Sequence, residues 1–82
     1  MQQILHPLTA LKPGESAVIV RLEGHPAVNL HLCELGFAPG ERVTLRRKAP
    51  LGGPLEIELL SYHLAVRPTE AESIIVCREN TP

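Results

Sequence analysis

A chain of 82 residues with a net charge of −1 and 44% hydrophobic residues has room for one compact domain and no second core. That size excludes a deep, dry pocket. The interleaved charges exclude the basic face of a nucleic-acid binder, and no stretch approaches the ~20 apolar residues of a membrane span. There is no Trp, one Phe (Phe37) and one Tyr (Tyr62), so the core is expected to be aliphatic and built from closely packed short strands.

Residues 4–11 (ILHPLTAL) are apolar but interrupted by Pro7, and read as an irregular lead-in laying Ile4, Leu8 and Leu11 on the core. Lys12-Pro13-Gly14-Glu15 is a turn. Ser16 to Glu23 is rich in β-branched residues and is predicted as the first strand; Gly24-His25-Pro26 stops it. Pro26 suits the first turn of a helix, and residues 27–35 form the one convincing helix. Val28, Leu32 and Leu35 follow i, i+4, i+7 and line its inner face. Gly36 stands where a helix-ending left-handed residue belongs, Phe37 is placed to pack back over the helix end, and Pro39-Gly40 turns the chain again.

From Glu41 to Lys48 the pattern alternates, with Val43 and Leu45 inward and Arg42, Thr44 and Arg46 outward. The run Arg46-Arg47-Lys48 reads as a solvated strand end. Residues 49–54 hold two Gly and two Pro and form a loop. Leu55, Ile57 and Leu59 face inward on the next strand, and Tyr62, Leu64 and Val66 continue that row after a short connection at Leu60-Ser61. Pro68 ends the strand; Thr69 is expected to cap a single helical turn through Glu72. Ser73 to Cys77 is the last strand, and residues 78–82 read as a polar tail. Five short strands with Gly/Pro turns and one helix between the first two predict a closed or nearly closed small β-barrel.

Chemistry is sparse. There is no phosphate-cradling Gly-rich loop and no HExxH, and the four His, two Cys and nine carboxylates lack ligand or triad spacing. No enzyme activity and no required cofactor are expected. Cys33 and Cys77 belong to no CxxC pair and, with no basic n-region at the N-terminus, read as reduced thiols of a cytoplasmic protein. His31 and Glu34, at i and i+3, leave open a weakly bound divalent ion such as Zn or Fe. Protein binding fits better. Leu30 and Cys33 point away from the buried helix stripe, and Leu51-Gly52 stands at an exposed loop tip.

The run Leu32-Cys33-Glu34-Leu35-Gly36-Phe37-Ala38-Pro39-Gly40 resembles the "LxELGFxPG" element of the FeoA family. Lys48-Ala49-Pro50-Leu51-Gly52-Gly53-Pro54 is similar to its "APLGDP" loop, and Leu64-Ala65-Val66-Arg67 with Glu70-Ala71 to its "LxLRxxEA" element. Gly53 replaces a frequent Asp, and Ser61 a frequent Gly, which predicts a less tight turn there. Gly36, Phe37, Pro39, Gly40, Pro50 and Gly52 of these motifs are read as structural. The resemblance implies a five-stranded Src-homology-3-like barrel spanning residues 1–82, with a core from about 8 to 77. It further implies a non-enzymatic, cytoplasmic accessory protein of bacterial ferrous-iron uptake. Such a protein would bind and modulate the membrane permease and GTPase FeoB, and meet the membrane only through that partner. The rival reading is a metal-sensing regulatory barrel like the C-terminal domain of iron- or manganese-dependent repressors. That reading lacks the helix-turn-helix segment DNA contact would need.

Overall fold

A computed structural model describes residues 4–78. Six strands, β1 (Leu5–Pro7), β2 (Ser16–Leu22), β3 (Arg42–Lys48), β4 (Leu55–Leu59), β5 (Tyr62–Val66) and β6 (Ile74–Arg78), form one antiparallel sheet in the order β1-β6-β2-β3-β4-β5. Helix α1 (Pro26–Leu35) lies between β2 and β3, and the short helix α2 (Pro68–Ala71) between β5 and β6. The sheet wraps around an aliphatic core that includes Leu8, Leu11, Ile19, Leu32, Val43, Leu45, Ile57, Leu59, Ile74 and Val76, with Phe37 as its largest side chain. The inward rows expected from alternation are buried on β3 and β4.

The sixth strand is β1, which the sequence hides as an irregular lead-in. Leu5, His6 and Pro7 pair with Cys77, Val76 and Ile75 of β6. Pro7 cannot donate to a ladder, and it is accommodated because β1 is an edge. A 3-10 turn at Leu8–Ala10 then drops Leu8 and Leu11 into the core, whereas Ile4, expected there, is 68% exposed. Three further corrections concern chain ends and turns. Arg67, not Thr69, is the N-cap of α2, and the Glu70 carboxylate accepts the Arg67 N–H at 2.9 Å. Arg78 is not tail but the last residue of β6, donating to the Ala10 carbonyl (2.7 Å), to Glu15 (3.3 Å) and to His6 (3.1 Å); residues 79–82 of the expected tail lie outside the described residues. The Leu60-Ser61 connection is as tight as a hairpin allows: Leu59 pairs directly with Tyr62, and both turn residues have positive φ (52° and 73°).

A register shift between Leu45 and Arg47 makes Arg46 a bulge, so three consecutive basic residues face solvent on β3. They are not idle there. Arg46 pairs with Glu58, Arg47 with Glu56 (2.8 Å), and Lys48 donates to the Thr9 carbonyl (2.8 Å), pinning the N-terminal segment to β3.

Candidate partner-binding site

Two surfaces carry the sequence-predicted contact residues. The first is the outer face of α1. Local chemistry sets its start: the His25 ring Nδ1 accepts the Ala27 N–H (3.2 Å), Pro26 opens the first turn, and the Asn29 amide bonds both N–H (2.9 Å) and C=O (3.0 Å) of Gly24. Its end is set by Gly36 at φ 111°, with the Gly36 N–H on the Cys33 carbonyl and the Phe37 N–H on the Leu32 carbonyl, both 2.9 Å. A Cβ at Gly36 would be tight as well as strained: it would lie 3.0 Å from the Tyr62 hydroxyl and 3.1 Å from a Leu60 methyl, so those side chains would have to give by a few tenths of an ångström.

With both ends fixed, the helix register follows. Leu32 is fully buried, and Val28 and Leu35 pack half-buried against the core. The opposite face presents Leu30, 63% exposed, together with exposed His31, Cys33 and Glu34. The Tyr62 hydroxyl donates to the Leu35 carbonyl at 2.9 Å, satisfying a helix-end acceptor. This is why Tyr62, expected in the inward row of β5, is 43% exposed: its ring lies along the end of α1 rather than in the core.

The second surface is the β3–β4 loop tip. Leu51 is completely exposed with φ 59°, Gly52 follows at φ 74°, and the loop is closed by Ala49 N–H to Pro54 C=O (3.0 Å) and Gly53 N–H to Pro50 C=O (3.2 Å). Pro39, Gly40 and Pro50 are exposed turn residues, and Phe37 is core.

Among the described residues, the ion pairs Arg21–Glu23, Arg46–Glu58, Arg47–Glu56 and Arg78–Glu15 lie at the surface or half-buried. The Arg46 guanidinium holds the Glu58 carboxyl below the usual range, helped by His63 and Arg42. The Lys12 backbone N–H (2.7 Å) and then Arg78 do the same for Glu15. His31 and Glu34 share the outer helix face. Among the described residues no group of three or more His, Cys, Asp or Glu side chains could hold a metal ion together. Cys33 is an exposed free thiol and Cys77 a half-buried one. Sequence reasoning missed Tyr62, Arg78 and His6 as structural anchors, because their partners lie far away along the chain.

The FeoA domain model matches residues 6–78. The chain belongs to the FeoA family. It is 35% identical over 69 residues to the Fe(2+) transport protein A/Fe(2+) transporter FeoB fusion protein of Porphyromonas gingivalis (strain ATCC BAA-308 / W83), a match covering 84% of this chain and only 8% of that protein's length. The crystal structure of Stenotrophomonas maltophilia FeoA, complexed with zinc and described as a prokaryotic SH3 domain protein, superposes with a TM-score of 0.74 at 34% identity, covering 84% of this chain and 86% of that one. A manganese-dependent transcriptional repressor superposes with a TM-score of 0.86 over 96% of this chain and 44% of that one; at 15% identity that likeness is one of fold. The expected mostly-β, SH3-like architecture therefore holds, with six strands in place of five. Among the described residues no helix is long and apolar enough to cross a membrane.

Proposed function

We propose that this chain is a non-enzymatic, cytoplasmic accessory protein that binds the cytosolic part of an FeoB-type transporter through the outer face of α1 and modulates ferrous-iron transport. The observation that carries this reading is the relative in which a similar domain is continuous with an Fe(2+) transporter. Fusion of two functions in one chain holds them at high effective concentration, which is useful where separate chains must associate. The outer helix face supports it by exposing Leu30 without a packing role in the core.

Titration calorimetry of the chain against the isolated cytosolic part of FeoB from the same organism tests the contact. Leu30→Glu is expected to weaken binding about tenfold or more while leaving thermal unfolding nearly unchanged, since an exposed substitution costs little stability. Leu32→Glu, two residues away, unfolds the barrel by burying an unpaired carboxylate. Native-like binding by Leu30→Glu removes the helix face as the contact and moves it to Leu51. The protein works without a cofactor in this reading, and His31 with Glu34 forms no tight ferrous site. A saturable anaerobic Fe²⁺ titration that is lost in His31→Ala would replace the adaptor reading with a metal-sensing one.

A further inference from the structure

The two edges of the sheet differ. β1 is three residues long and ends in Pro7, whereas β5 has five residues and carries neither Pro nor Lys nor a bulge. Edges open to pairing are usually blunted by one of those devices, so β5 is the edge left competent to receive a strand. Its polarity follows from the turn. Leu59 and Tyr62 flank a two-residue loop and form a hydrogen-bonded pair; alternation then makes Leu64 and Val66 turn their backbone groups toward β4 as well. The N–H and C=O groups of His63 and Ala65 therefore face outward, and among the described residues no strand pairs with that side.

The side chains say what would fit. Across the outer face, Arg46 pairs with Glu58, and Glu58 stands opposite His63 in register. The next position in that row lies beside an imidazole N–H donor, so a carboxylate completes a basic–acidic–basic–acidic alternation. On the other face the half-buried Leu64 asks for an apolar neighbour. A second copy of this chain fits poorly. In the three antiparallel registers that use the outward groups, it would set Ala65, His63 or Arg67 opposite His63, never an acid. We propose that the β5 edge binds an extended partner segment that alternates acidic and apolar residues, hydrogen-bonded to the backbone of His63 and Ala65, with an acid opposite His63. This surface is separate from the helix face invoked above and does not depend on it.

The test titrates the full chain with a capped heptapeptide of alternating Val and Glu, and with its Val/Lys counterpart, following each amide by NMR and hydrogen exchange. The Val/Glu peptide is expected to slow exchange at His63 and Ala65 and to bind at least about tenfold tighter than the Val/Lys peptide. Ala65→Pro abolishes binding, because it removes an outward N–H while leaving the β4 ladder intact. His63→Glu, which leaves the backbone untouched, reverses the peptide preference and decides the matter should Ala65→Pro fail to fold. The proposal is overturned by no binding up to ~1 mM peptide, by exchange slowing only outside β5, or by unaltered binding in folded Ala65→Pro. Concentration-dependent self-association in sedimentation that Ala65→Pro removes would overturn it in favour of a second copy.

Discussion

The two hairpin tips bordering β4 both hold a leucine in the left-handed region, yet only one gains packing from it. Leu51 (φ 59°) is fully exposed at the β3–β4 tip. Leu60 (φ 52°) is 49% exposed at the β4–β5 tip, with a methyl beside the backbone of Gly36 at the end of α1. A left-handed backbone costs a bulky residue roughly 1–2 kcal/mol. At Leu60 that cost is offset by covering the helix terminus together with Tyr62. At Leu51 nothing among the described residues offsets it. An exposed, strained leucine with no internal role is a stronger candidate for contact with a partner than exposure alone would suggest.

The largest effect should come from breaking what Leu60 covers. Gly36→Val must force a β-branched residue into φ 111° and drive its Cβ against Tyr62 and Leu60; a loss of about 3 kcal/mol is expected in urea unfolding. Gly36→Asn is expected to lose less, but it is not neutral, because the crowding remains. Urea midpoints that match for Gly36→Val and native protein would show that the cap is not left-handed. Next, Leu60→Asn trades apolar cover for an easier turn, and a net loss of about 0.5–1 kcal/mol is expected. Leu51→Asn relieves the same backbone with no cover to lose, so a gain of about 0.5 kcal/mol is expected. Equal shifts at the two tips, read from paired denaturation curves, would erase the distinction between them.

The smallest effect is electrostatic and lies on β4 between the tips. Glu58 titrates below its ordinary value in the folded protein, chiefly because Arg46 bonds the ionised form. Its contribution is therefore present above the unfolded value, 4.5, and is lost as pH falls from there through the lower folded value. Glu15 follows the same sign through the Lys12 backbone N–H and Arg78. Arg46→Gln should flatten the acid limb of stability against pH by lowering the neutral plateau slightly while leaving the acid end unchanged, since exposed pairs contribute little. An unaltered acid limb in that variant would mean Glu58 gains nothing from its arginine.

Much of this molecule was legible along the chain. Helix α1, its proline start and its glycine end were readable because their determinants lie within a dozen consecutive residues. The inward rows of β3 and β4 were readable because period-two alternation is local, as was the outward placement of Leu30. Leu30 and Leu51, read as exposed from the sequence, are exposed in the structure. The fate of Tyr62 was not legible: alternation placed it inward, but the end of α1 offered its hydroxyl a carbonyl that the core could not.

What the tertiary structure alone decided are the pairings between residues far apart in sequence. Pro7 argues against a strand until β6, some seventy residues later, supplies an edge where no N–H is needed from it. Arg78 reads as a solvated tail until the Ala10 carbonyl, Glu15 and His6 are brought around it. Leu60-Ser61 looks like a poor turn until the end of α1 rewards the leucine with packing. Local propensity and periodicity record what a residue prefers on its own; the register of distant strands decides which of those preferences is overruled.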